Sequence, residues 1–178
     1  APDAAPEPTA DRRARGHTRY GGLLYLLNLA AVLGWPERLL DDAVLAARGP
    51  RWALHRLAMQ LVPLAADDAA ALGFAGLLPG QAPPAADPPP TAAESEALSR
   101  WHGALLLALR QRLVDSPSDD DALLAWVCRR EAECVADPGW LEVQLSLADV
   151  DTALRAAGLD LDPGWLPWLG LVVRFVYG

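Results

Sequence analysis

The side chains that most often carry chemistry are few in this chain and lie far apart. The three histidines, His17, His55 and His102, stand in no metal-binding or catalytic motif. No Gly-rich phosphate loop, zinc-finger spacing, His-Glu-x-x-His or Gly-x-Ser-x-Gly occurs. His55 is surrounded by apolar residues and has no second ligand at metal spacing, so we expect it to be buried and hydrogen-bonded. The sequence therefore predicts a protein that is not an enzyme and that needs no cofactor.

Two acidic clusters look like metal sites at first sight. Asp119–Asp121 falls in the first turn of a predicted helix, where carboxylates complement the positive end of the helix dipole. Residues 160–164 begin like a calcium loop but lack the later oxygen ligands and the closing glutamate, which favours a turn. We expect no metal at either cluster.

The two cysteines, Cys128 and Cys134, lie six residues apart in a helix predicted over 119–135. In such a helix the two side chains would point about 120° apart around the helix axis, so we expect no disulfide between them. There is no secretory signature, and the longest apolar run, residues 23–34, is interrupted by Asn28. That run is shorter than the roughly 20 residues that span a bilayer. These features predict a cytoplasmic protein without a membrane span.

Composition excludes one class of partner and favours helices. A net charge of -8 argues against a nucleic-acid surface, which needs clustered positive charge. The hydrophobic fraction of 52% comes largely from Ala and Leu, which is typical of helices rather than sheets. The sequence therefore predicts a mainly α (α+β) fold of about six helices.

The clearest organising signal is Asp-Pro-Gly-Trp, which occurs at Asp137–Trp140 and again at Asp162–Trp165. Apolar residues alternate with polar ones after the first copy, which predicts a strand with one buried face. Residues 171–177 follow the second copy and are apolar on both faces apart from Arg174, which predicts a strand covered on both sides. A short helix lies between the two runs. We expect positive φ at the turn glycines and a small C-terminal two-stranded β element flanking that helix.

The chain divides by composition into four segments. We predict a disordered tether over 1–16, an N-terminal helical lobe over 17–78, a Pro-rich linker over 79–93 and a C-terminal helical lobe with the β element over 94–178. The first residue is Ala, so the chain is either a trimmed protein or the C-terminal portion of a longer one.

Three of the tryptophans lie in or beside the twin turns, where they either fill the core or form a partner-facing patch. The last strand is too apolar for a solvated edge. We therefore expect a second chain or an upstream region to complete the edge of 171–176. The alternative is that helices 94–114 and 119–135 cover the sheet face while a loop blocks the edge. The predicted partner-binding residues are Trp140, Trp165, Trp168, Val172, Arg174 and Val176.

Two stretches carry a family resemblance. Residues 20–29 (YGGLLYLLNL) and 155–170 (RAAGLDLDPGWLPWLG), closing on Val173-Arg174-Phe175, resemble an uncharacterised bacterial family. That family is encoded beside extracellular contractile injection systems, the phage-tail-like particles of bacteria. The resemblance covers the two ends of the chain better than its middle. It implies a structural or assembly component whose partners are other proteins of the particle or the upstream part of the same polypeptide. The alternative is a free-standing adaptor or chaperone-like protein-binding module.

Overall fold

A computed structural model describes residues 13–178 of the chain. Within this range the chain forms seven α-helices and five strands, with six of the helices between the first and second strands and short 3₁₀ turns at Gly21–Tyr25 and Leu147–Asp149. The helices are α1 (Leu26–Val32), α2 (Trp35–Asp41), α3 (Pro50–Leu61), α4 (Ala69–Phe74), α5 (Ala92–Arg112), α6 (Asp120–Cys128) and α7 (Thr152–Ala156). The strands are β1 (Ala14–Thr18), β2 (Ala132–Asp137), β3 (Trp140–Leu145), β4 (Gly164–Leu166) and β5 (Leu171–Tyr177).

The predicted mainly α fold with a two-stranded element is wrong, because the five strands form one mixed sheet in an α/β fold. The strand order is β1-β2-β3-β5-β4. The predicted helix over 119–135 ends at Cys128, and Ala132–Asp137 forms β2 instead. The two alanines and the glutamate of β2 favour helix on intrinsic propensity, and pairing with the two neighbouring strands β1 and β3 overrides that preference.

The sheet extends beyond the predicted β element at both of its edges. β1 uses residues 14–16 of the predicted tether and pairs antiparallel with β2, while residues 1–12 of that tether lie outside the described residues. β4 is three residues long and pairs antiparallel with β5. β5 runs parallel to β3, as expected for neighbours joined through a helix. The turn glycines Gly139 and Gly164 have the predicted positive φ, at 77° and 69°.

One face of the sheet is buried against the helices. Alternate residues of β2, β3 and β5 point to this inner face and are buried. Tyr25 packs edge-to-face on Phe175, with ring centroids 4.9 Å apart. Gly73 lets α4 approach β3, since a Cβ there would lie 2.9 Å from Leu141. The core that results includes side chains from both predicted lobes.

The Pro-rich segment predicted as a linker is held against α3. Arg48 donates hydrogen bonds to the carbonyl oxygens of Pro88 and Pro89, and Arg56 donates one to that of Ala86. Both guanidinium groups also lie over the ring of Trp52, at 4.6 and 5.7 Å from its centroid. Thr91 and Glu94 stand in the sequence at the spacing of a capping box, and the segment enters α5 through that box, which is present in full.

No single helix in the described part of the chain is long and apolar enough to cross a membrane. The segments Gly21–Val32 and Trp35–Asp41 reach that length and composition only as a pair, which is bent by 75°.

Candidate protein-binding surface

The outer face of the sheet, opposite the helices, carries most of the predicted partner-binding residues. The strand register places Trp140 of β3 directly opposite Val172 of β5, and Val172 directly opposite Trp165 of β4. We call these three side chains the tryptophan row. Neighbouring strands lie about 4.8 Å apart, so the two tryptophans are about 10 Å apart across the sheet. Trp165 is 59% exposed, while Trp140 and Val172 are half-buried.

Two more of the predicted partner-binding residues, Arg174 and Val176, lie on this face, and the sixth, Trp168, does not. Arg174 is opposite Glu142 in the next row of the sheet, and Val176 is opposite Gln144 in the row beyond it. Trp168 instead packs against the hydrophobic core. The structure therefore brings five of the six predicted residues together and assigns Trp168 to core packing.

The half of the outer face formed by β1 and β2 is rich in compensated charge. Basic residues of β1 and its flanks face carboxylates: the shortest contacts are 3.3 Å for Arg13–Asp137, 3.1 Å for Arg15–Glu133, 2.7 Å for His17–Glu131 and 3.8 Å for Arg19–Glu131. Such exposed ion pairs contribute little to stability. They do pair the charges of this half of the outer face, whereas the tryptophan row carries no charged side chain.

The prediction that a second chain or an upstream region completes the edge of residues 171–176 is wrong for most of that edge, which is paired within the chain. β4 pairs with Leu171–Val173, and the backbone N–H of Phe175 donates a hydrogen bond of 2.7 Å to Asp162 Oδ1. Coverage of both faces of β5 is also wrong: Leu171, Val173 and Phe175 are buried, whereas Arg174 is exposed. The sequence does not predict β4, because its three residues lie between two prolines and are too few to show strand periodicity.

A partly buried polar cluster holds the loop that carries Asp162. The hydroxyl oxygens of Tyr25 and Tyr177 lie 2.6 Å apart, and Tyr177 also donates to Asp160, which is paired with Arg155 at 3.0 Å. Burial raises the pKa of Tyr25 above its ordinary value. Asn28, the polar residue that interrupts the apolar run, donates to the carbonyl oxygens of Leu159 and Leu161 at 2.9 and 2.8 Å. Periodicity singled out Asn28 as a polar residue in an apolar helix but gave no signal for Tyr177 or Asp160.

Three reactive side chains away from this cluster are buried, namely His55, Cys128 and Cys134, whereas His102 is half-buried and His17 is exposed. His55 is 3% exposed with Nε2 2.7 Å from the carbonyl oxygen of Ala66, which confirms the predicted buried, hydrogen-bonded histidine. Desolvation lowers its pKa. Cys128 and Cys134 are both free thiols, and Cys134 lies on β2 rather than in the predicted helix. Within this range no group of three or more His, Cys, Asp or Glu side chains is arranged to hold a metal ion.

The two thiols are expected to resist alkylation in the folded protein. Burial raises the pKa of each thiol to about 12, and both side chains are inaccessible, so the reactive thiolate is rare at pH 8. Mass spectrometry after iodoacetamide treatment at pH 8 should show the native protein unmodified and the denatured protein alkylated twice. Rapid alkylation of the native chain at either cysteine would contradict this arrangement.

No protein-family model, curated protein or solved structure matches this chain.

Proposed function

We propose that the protein is a non-enzymatic binding component whose outer sheet face docks another protein through the tryptophan row. The observation that supports this most directly is the exposure of Trp165 in register with Val172 and Trp140. Tryptophan is a costly residue to leave in water, and it is enriched among the residues that dominate binding energy at protein interfaces.

The surroundings of the row have the composition of an interface. Glu142, Gln144 and Arg174 border the apolar residues with polar groups, and an apolar centre with a polar rim is the usual arrangement at protein–protein contacts. Among the described residues, Arg174 comes no closer to a carboxylate than 3.9 Å, at Asp162, so it can reorient towards a partner. The face is formed by paired strands, which hold these side chains at fixed spacing.

The partner we propose is a protein of a contractile, phage-tail-like injection system, with this chain acting in the cytoplasm as a structural or assembly component. Support comes from the resemblance of residues 20–29 and 155–170 to the family encoded beside such systems. The second candidate, a free-standing adaptor or chaperone-like module, would use the same face. Neighbouring genes distinguish the two: sheath, tube and baseplate genes beside this one favour the particle, and their absence favours the adaptor.

Replacing Trp165 with alanine tests the binding surface. Because the side chain is mostly exposed, the change should alter the free energy of unfolding by no more than about 1 kcal/mol. As a central interface residue it should weaken partner binding by about 2 kcal/mol or more. Val172→Lys combined with Val176→Lys should likewise leave the chain folded and abolish binding. The measurement is pairwise co-purification with the product of each adjoining gene, followed by calorimetry on the pair that binds.

Val114→Ala is the matched control, since Val114 is 82% exposed at the end of α5 and lies off the sheet. It should bind like the unaltered protein. A folded Trp165→Ala variant that binds its partner with unchanged affinity would show that the tryptophan row is not the docking surface.

A further inference from the structure

A groove separate from the tryptophan row contains an arginine, Arg51, that forms no ion pair with any residue of 13–178. It runs between the start of α3, the turn at Pro138–Gly139 and the segment before β5, with a volume of about 580 Å³. It continues past Arg51 into a second stretch of about 400 Å³ between α3 and the Pro-rich segment. Arg51, Leu77 and Ala82 line both stretches, which we together call the Arg51 groove.

Charge in the larger stretch is one-sided. Its lining is apolar or uncharged except for Arg51, whose side chain makes no hydrogen bond or ion pair with the described residues. The nearby Arg48 and Arg56 are both engaged by the Pro-rich segment. On a chain with a net charge of -8, this guanidinium in an otherwise uncharged groove is complementary to an anion.

The backbone adds to the same local potential. α3 begins at Pro50 after Gly49, which offers no side-chain cap, and its first turn contains no acidic residue. The positive end of this twelve-residue helix is therefore not compensated by a carboxylate of its own first turn. Asp87 is the one carboxylate of the second stretch, so the preference for an anion is strongest on the Pro138 side of Arg51.

We propose that the Arg51 groove binds an extended, alanine- and proline-rich segment of a partner protein, with the carboxylate of an internal Asp or Glu on the Arg51 guanidinium. The carboxylate belongs to an internal residue rather than to a chain terminus, because the groove continues on both sides of Arg51. Leu77, Ala82 and Leu169 form shallow apolar walls that suit small side chains.

The protein already binds one segment of this kind next to the groove. Arg48 and Arg56 hold the chain's own Pro-rich segment through its backbone carbonyls and frame Trp52. An extended proline-rich chain loses little conformational entropy on binding, which favours the same mode for a second segment. The groove and the tryptophan row use different side chains, so either proposal can fail without the other.

The test uses the full chain and a synthetic probe, acetyl-Ala-Pro-Ala-Pro-Asp-Ala-Pro-Ala-amide, with a second peptide in which Asn replaces Asp. Titration of the ¹⁵N-labelled protein with the Asp peptide should shift the backbone amide resonances of Gly139, Gly170 and Arg51. The shifts should fit a Kd for the peptide in the millimolar range. The Asn peptide and the Arg51→Gln variant should each bind about two- to fivefold more weakly, because a solvent-exposed Arg–carboxylate pair is lost. Added salt should weaken the Asp peptide more than the Asn peptide.

Two further variants separate groove binding from nonspecific attraction. Arg38→Gln removes another arginine for which the described residues supply no ion pair, outside the groove, and should leave binding unchanged. Ala82→Phe should block the peptide while leaving Arg51 in place, and an unchanged circular dichroism spectrum would show that the variant is folded. Equal binding of the Asp and Asn peptides, or equal losses in Arg51→Gln and Arg38→Gln, would overturn the proposal.

Discussion

Replacing Gly22 with alanine is expected to destabilise the protein by about 3–5 kcal/mol, enough to unfold a marginally stable domain. A Cβ at this position would lie 2.2 Å from the carbonyl oxygen of Val127 and 3.0 Å from Cys128 Cα. Both are backbone atoms at the end of α6, so neither can move aside as a side chain would. The 3₁₀ turn that begins at Gly21 would have to withdraw from α6, which would also separate Gly21 N–H from the carbonyl oxygen of Arg130.

The measurement is equilibrium unfolding in urea, with the midpoint and slope compared with those of the unaltered chain. Gly103→Ala is the control, because Gly103 lies inside α5 and a Cβ there meets nothing within 4 Å. That variant should be stabilised by about 0.5–1 kcal/mol from the gain in helix propensity. If Gly22→Ala unfolded at the same urea concentration as the unaltered protein, the close approach of the 3₁₀ turn to α6 would be wrong.

Replacing Arg130 with methionine is expected to cost about 3 kcal/mol or more. Arg130 is 7% exposed, and its guanidinium donates hydrogen bonds to the carbonyl oxygens of Trp126, Val127 and Asp149. Two of these carbonyls lie in the last turn of α6, where a cation also complements the negative end of the helix dipole. Methionine retains much of the apolar volume but donates no hydrogen bond, so the partly buried carbonyls lose their charged partner.

Arg129→Met is the matched control, since the adjacent Arg129 is exposed and no ion pair involves it among residues 13–178. We expect this change to fall within about 0.5 kcal/mol of the unaltered protein. Thermal and urea unfolding of the two variants side by side would measure the difference. Equal stability of the two would mean that Arg130 does not connect α6 to the loop before α7.

Local sequence predicted the features that depend on neighbouring residues. The capping box of Thr91 and Glu94, the positive φ of Gly139 and Gly164 and the alternating burial of β3 all follow from a few consecutive residues. The backbone conformation of a turn or a helix start has nearly the same energy in any fold. Predictions made from these local residues therefore agree with the tertiary structure. For the candidate site, the sequence identified the tryptophans but not their arrangement.

The tertiary structure alone decided how large the sheet is and which residues meet on it. β1, β2 and β4 carry weak local signals: β1 lies in charged sequence, β2 is rich in helix formers and β4 has only three residues between prolines. Their backbone groups form a sheet because partners distant in sequence satisfy them, and no local window contains those partners.

The same pairing sets Trp140, Val172 and Trp165 in one row, while Trp168, in the turn after β4, packs against the core. Composition and periodicity determined that the C-terminal region concentrates tryptophan beside two strands. Strand register determined which side chains are exposed together, because a shift of one residue in a pair moves every side chain to the opposite face.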